Sequence, residues 1–66
     1  MTFSELVKYT RKQLSISQEQ LARDINVSFS TINRWENEKT KPNQLAKKMF
    51  IEYCKAKKIN VDEIDS

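Results

Sequence analysis

Glycine and histidine are absent from this 66-residue chain, and proline and cysteine occur once each. Tight β-hairpin turns need residues that accept φ > 0, so the lack of glycine argues against a hairpin-rich β-protein and for an all-helical one. Without histidine and with a lone Cys54, there is no His/Cys zinc cluster, Cys–His nucleophile pair, Ser–His–Asp triad or disulfide framework. A single thiol fits a reducing, intracellular compartment. The longest apolar run is Met49-Phe50-Ile51, far short of a membrane span or a signal-peptide core. These absences predict a cytoplasmic protein with no cofactor, no metal and no enzymatic activity.

What remains is 38% hydrophobic and 32% charged, enough apolar material for one small core and for one domain over residues 1–66. A chain this short buries only about 60% of its unfolded surface, so its apolar residues must be placed economically. Net charge is +3, unevenly spread. Residues 42–58 carry Lys47, Lys48, Lys55, Lys57 and Lys58 against Glu52, while Asp62, Glu63 and Asp65 follow with no base. That pattern fits a basic surface facing a polyanion, and equally a solvated helix face with an acidic tail.

Spacing supplies the helices. Phe3, Leu6, Val7, Thr10 and Leu14 line one face of a first helix, opened by a Thr2/Glu5 capping box. Ser17 and Gln20 form a second box, and Leu21, Ala22 and Ile25 give the helix it opens a buried face. Asn26 stands where the chain must turn, and asparagine is, after glycine, the residue that best tolerates the left-handed conformation. Ser28 caps a third helix reaching about Asn37, with Ile32 and Trp35 inward. After a polar loop over 38–42, a fourth helix runs from about Asn43 to Lys57, with Leu45, Ala46, Met49, Phe50, Tyr53 and Cys54 on one stripe. Ile51 lies off that stripe, where it suits a dimer contact. Ile59 and Val61 pack back, and a short last turn covers Asp62–Asp65. The fold class is therefore all-α, a compact bundle of four to five helices.

The stretch from about 17 to 37 is the informative one. A short helix, a turn at Asn26 and a second helix follow in succession over Leu21, Ala22, Ile25, Val27, Ile32 and Trp35. Small, turn-forming and apolar residues at these offsets are what a helix-turn-helix needs, because its two helices cross steeply over a shared core. The outer face of the second helix is then free to enter a DNA major groove. Arg34 suits guanine O6 and N7 and is otherwise a solvated charge or a phosphate contact; Asn33 suits adenine and is otherwise a surface residue. Phe29 either rests on thymine methyls or packs against the preceding turn. Trp35, three residues after Ile32, belongs to the core.

The residues Arg11, Ser17-Gln18-Glu19-Gln20-Leu21-Ala22, Ser28-Phe29-Ser30-Thr31-Ile32-Asn33-Arg34-Trp35-Glu36-Asn37 and Lys41-Pro42 resemble the Xre family, the lambda repressor- and Cro-like helix-turn-helix domains, from about Thr2 to Ile64. The resemblance implies that Ser28, Phe29, Ser30, Asn33 and Arg34 face base edges or flanking phosphates. It implies that Gln18 contacts a phosphate while bracing the recognition helix, and that Lys39, Thr40 and Lys41 grip the DNA backbone. Arg11 and Glu36 match a partly buried ion pair joining the first and third helices. The chain departs from the family pattern at Asn26, where glycine is usual, and at Glu36-Asn37-Glu38, where Glu-Asn-Gly is usual. The second departure sets an acid beside the phosphate-gripping loop.

Together these readings predict a sequence-specific regulator of transcription that binds double-stranded DNA. The helix at about 28–37 would lie in the major groove, probing a two-fold operator as a weak or DNA-induced homodimer. A protein-interaction module such as an antitoxin or adaptor, with a toxin or regulator as its partner, is the alternative, and Phe29 and Ile51 are the features that suit it.

Overall fold

In the computed structural model, residues 2–39 and 41–61 are described. They form α1 (Phe3–Leu14), α2 (Gln18–Asp24), α3 (Phe29–Glu36) and α4 (Gln44–Ala56), with no strand among the described residues. The all-α expectation holds. The final turn expected over Asp62–Asp65 lies outside the described residues.

Each helix starts at a side-chain cap. Thr2 Oγ1 accepts the Glu5 N–H at 3.1 Å and Glu5 Oε1 accepts the Thr2 N–H at 2.8 Å, a complete capping box. Ser17, Ser28 and Asn43 accept the N–H of Gln20, Thr31 and Ala46. The second box expected from sequence is only half made. Ser17 caps as expected, but the Gln20 amide turns forward to Asp24 Oδ1 at 2.8 Å, its i+4 neighbour.

The helix ends were less predictable. Ser15, Asn26, Glu38 and Lys58 have φ of 55°, 59°, 57° and 62°, left-handed values in a chain without glycine. Each closes a six-to-one and a five-to-two hydrogen bond, the Schellman pattern. At α2, for example, Val27 N–H donates to the Ala22 carbonyl at 2.9 Å and Asn26 N–H to Arg23 at 3.2 Å. Ile16, Val27 and Ile59 follow three of these residues and pack on the core. That apolar contact offsets part of the roughly 1–2 kcal/mol cost of a left-handed residue that carries a Cβ.

Leu6, Val7, Leu21, Ala22, Ile25, Ile32, Trp35, Phe50, Cys54 and Ile59 form the core. The Phe3 ring meets Trp35 and Phe50 edge-on at 5.2 and 5.4 Å between centroids, joining α1, α3 and α4. Thr10 is fully buried with its hydroxyl 3.4 Å from Cys54 Sγ, so the polar member of the α1 stripe is satisfied inside the core. Burial pushes the Cys54 thiol pKa up, as befits an inert small hydrophobe.

On α4 the expected stripe is too wide. Phe50 and Cys54 are buried with Ala46 and Tyr53 packed beside them, but Leu45 is 69% exposed and Met49 38%. Leu45 lies more than a quarter-turn from the line through Ala46, Phe50 and Cys54, and the three preceding helices present too narrow a surface to cover it. Ile51, off the stripe as expected, is half-buried rather than free. Tyr53 ties α4 to α2 by donating its hydroxyl to Asp24 Oδ2 at 2.8 Å. Burial, then the Asp24 carboxylate, raises the Tyr53 pKa. Among the described residues no helix is long and apolar enough to cross a membrane.

Candidate nucleic-acid interface

The site begins with what α3 hides. Ile32, Trp35 and Glu36 are its buried residues, and α3 packs with them against both α1 and α2. At about 100° per residue, that inward arc leaves Ser30 and Arg34 on the opposite side, flanked by Asn33 and Asn37. Ser28, Phe29, Ser30 and Arg34 are exposed and Asn33 is half-buried. Lys39 and Lys41 are exposed beyond the end of the helix. Thr40 lies outside the described residues.

Glu36 is a buried carboxylate at the last turn of α3, 5% exposed. The Arg11 guanidinium clamps it with two bonds, Nε to Oε2 at 2.5 Å and Nη2 to Oε1 at 2.8 Å. The remaining Arg11 nitrogen reaches the Ile16 carbonyl at 3.3 Å, so one side chain binds the end of α1, the following turn and α3 together. Gln18 Nε2 donates to Glu36 Oε1 at 3.1 Å, bringing in the first turn of α2. Ser4 Oγ donates to the Glu36 backbone carbonyl at 2.7 Å, also buried. Burial pushes the Glu36 carboxyl pKa up, but the hydrogen bonds from Arg11 and Gln18 and the Arg11 charge outweigh it, and the net shift is downward. The Glu36 hydrogen bond raises Arg11 in turn, against a smaller effect of burial. Both groups are ionised at neutral pH, and three helices are fastened at one point.

The exposed groups have their own local order. Ser28 Oγ is 2.8 Å from Thr31 Oγ1 and 3.2 Å from Ser30 Oγ, a hydroxyl cluster around the first turn of α3. Phe29 is 51% exposed and outside the core, so half of its surface is in water.

A helix whose buried residues fix it across a partner helix, joined by a tight left-handed turn at Asn26, is the arrangement of a helix-turn-helix. The helix-turn-helix family matches residues 7–49, well over half of the chain. The chain belongs to the Xre, lambda repressor-like helix-turn-helix family. No curated protein and no solved structure matches it. The family is one of DNA-binding regulators, and double-stranded DNA is the ligand class it implies. The matched segment runs from the first helix into α4 and contains Arg11, Gln18, all of α3 and the loop after it.

Two residues to which the sequence pattern assigns no role also shape this helix-turn-helix, one on the outward side of α3 and one buried beneath it. Asn37 shares the outward side of α3, and its amide donates to the Asn33 carbonyl at 2.9 Å and to Asn33 Oδ1. Its signals were its place at the end of the Ser28–Asn37 run and its four-residue spacing from Asn33. Ser4 fastens α1 to the end of α3 through a backbone carbonyl, an acceptor that no side-chain pattern encodes.

Proposed function

We propose that this protein is a sequence-specific transcriptional regulator that inserts α3 into the major groove of double-stranded DNA. The observation that carries the reading is the sidedness of α3: Ile32, Trp35 and Glu36 are buried, while Ser30 and Arg34 face solvent with Asn33 beside them. Arg34 is suited to guanine O6 and N7, Asn33 to adenine, and Ser28, Phe29 and Ser30 to bases or sugar-phosphate near the start of the helix. Gln18 spends one amide proton on Glu36 and keeps the other for a phosphate at the start of α2. Lys39, Thr40 and Lys41 hold the backbone and supply affinity that depends on salt.

A two-fold operator with half-sites about 34 Å apart, bound by a weak or DNA-induced dimer, fits the docking geometry of this fold. The test is selection from a random duplex pool at two salt concentrations, with sequencing of the retained DNA. Enrichment of a palindrome that fades with salt supports the reading; a salt-sensitive pool without enrichment overturns the base-reading roles. The exposed Phe29 and Leu45 favour a second reading, a protein-interaction module. A partner that stays bound in high salt and protects Phe29 would distinguish it.

A further inference from the structure

Most acidic side chains of the described residues have a structural partner. Glu5 completes the cap of α1, Glu19 meets Arg23 at 2.7 Å, Asp24 accepts from Gln20 and Tyr53, and Glu36 holds Arg11. Glu38 and Glu52 have none among the described residues. Glu52 sits eight residues into α4 from Gln44, on a helix rich in lysine. Glu38 sits in the turn that leaves α3, between Asn37 and Lys39.

The backbone of Glu38 is held firmly. Its N–H donates to the Trp35 carbonyl at 3.3 Å, the next N–H donates from Lys39 to Arg34 at 3.0 Å, and its φ is 57°. A left-handed residue with a Cβ is disfavoured, so Glu38 sits here at some cost to the fold while its exposed carboxylate contributes no bond. Lys39 follows directly and Lys41 two residues later, the two cations that the proposed function turns toward phosphates.

We infer that Glu38 is an electrostatic brake on DNA binding, a fixed negative charge that repels the phosphates approached by Lys39 and Lys41. The inference rests on the DNA-binding reading above. Phosphates carry no sequence information, so the brake lowers affinity for every duplex alike and leaves the preference between sequences unchanged. A carboxylate about 8 Å from one phosphate in water lowers affinity about two- to threefold, and the effect is screened as salt rises.

The test compares the full chain with its Glu38→Gln, Glu38→Gly and Glu52→Gln variants, titrated against one random-sequence duplex and against the best duplex from selection, at several salt concentrations. Glu38→Gln is expected to bind both duplexes about two- to threefold more tightly at low salt, with the gain shrinking as salt rises. Glu38→Gly is expected to show the same gain together with a higher Tm, because glycine relieves the left-handed position. Glu52→Gln removes an equal charge from α4, eight residues past its start rather than beside Lys39, and is expected to give a smaller gain at low salt and almost none at physiological salt, where the Debye length is about 8 Å. Equal gains from Glu38→Gln and Glu52→Gln would reduce the effect to net charge and overturn the brake. No gain from Glu38→Gln while the parent chain binds would overturn it too, with the DNA-binding reading intact. Failure of every variant and of the parent to bind any duplex would overturn both.

Discussion

Neutralising Glu36 should loosen the whole fold, because its carboxylate is where α1, α2 and α3 meet. Its side chain is 6% exposed, and that of Arg11 is 26%. Removing one member of a buried pair costs about 3–5 kcal/mol, since the other is left charged without compensation. Arg11 keeps a quarter of its surface in water and recovers part of its hydration there, and a glutamine retains one acceptor. Glu36→Gln is therefore expected to cost about 2–3 kcal/mol. Chains of this length have about 3–10 kcal/mol of total stability, so the loss should appear as a fall in Tm of about 10–20 °C. The assay is thermal and urea unfolding of Glu36→Gln, Arg11→Met and the double variant. The double should be less destabilised than the sum of the singles, with a coupling of about 1–3 kcal/mol, because neither charge is then stranded. Two single variants that each cost under about 1 kcal/mol and add would refute the argument, for that is how a solvent-exposed pair behaves.

The same carboxylate predicts a pH dependence. Its folded-state pKa lies below its ordinary value of 4.5, so on acidification the unfolded chain takes up the proton first. The Glu36 contribution is complete above that ordinary value and is lost as pH falls through the depressed folded value. The parent chain should lose stability over this acid range more steeply than Glu36→Gln. A smaller acid dependence should remain in the variant, because Glu5 and Asp24 are also lowered, by hydrogen bonds from Thr2 and from Tyr53 respectively. Identical pH profiles for the two proteins would remove Glu36 from the account.

Three further outcomes separate affinity, specificity and fold. Arg34→Ala should cost about 1–3 kcal/mol on the best selected site and relax preference at one base pair, and equal losses on a scrambled site would refute base reading. Lys39→Ala and Lys41→Ala should weaken binding on all sequences and each reduce the salt slope by about 1 in a fluorescence titration; a loss confined to one sequence would contradict a phosphate role. Ser15→Gly and Lys58→Gly should each stabilise by about 0.5–1 kcal/mol, as relief of the left-handed cost exceeds the added entropy of glycine in the unfolded chain, while Asn26→Gly should be near neutral. A lower urea midpoint for both of the first two variants would show that their positive φ carries no strain.

The helix starts were legible because a cap is a local device: Thr2, Ser17, Ser28 and Asn43 each bond an N–H three residues ahead, and nothing distant is needed to form them. The turn at Asn26 was legible for the same reason. Its counterparts at Ser15, Glu38 and Lys58 were not, since none of those residues favours φ > 0. There the direction in which the next segment must run, toward Ile16 and Ile59 in two cases, overrides local preference. The α4 stripe failed differently. Apolar spacing shows where a helix can bury residues but not how much surface awaits it, and Leu45 and Met49 fall beyond what α1–α3 provide.

The apolar spacing of α3 gives the outline of the candidate interface, whereas its anchoring by Arg11, Gln18 and Glu36 was legible only through the family resemblance. Hydrophobicity alone turns α3 inward on Ile32 and Trp35, which leaves a range of rotations about its axis. Burial of Glu36 narrows that range, and only Arg11 and Gln18, brought from two other helices, make burial of a carboxylate tolerable. The rotation so selected puts Ser30 and Arg34 opposite the core. In this fold the group that most needs its partners is therefore also the one that aims the outward face. A variant such as Glu36→Gln should accordingly blur sequence preference at temperatures where the chain is still folded, and not merely lower its Tm.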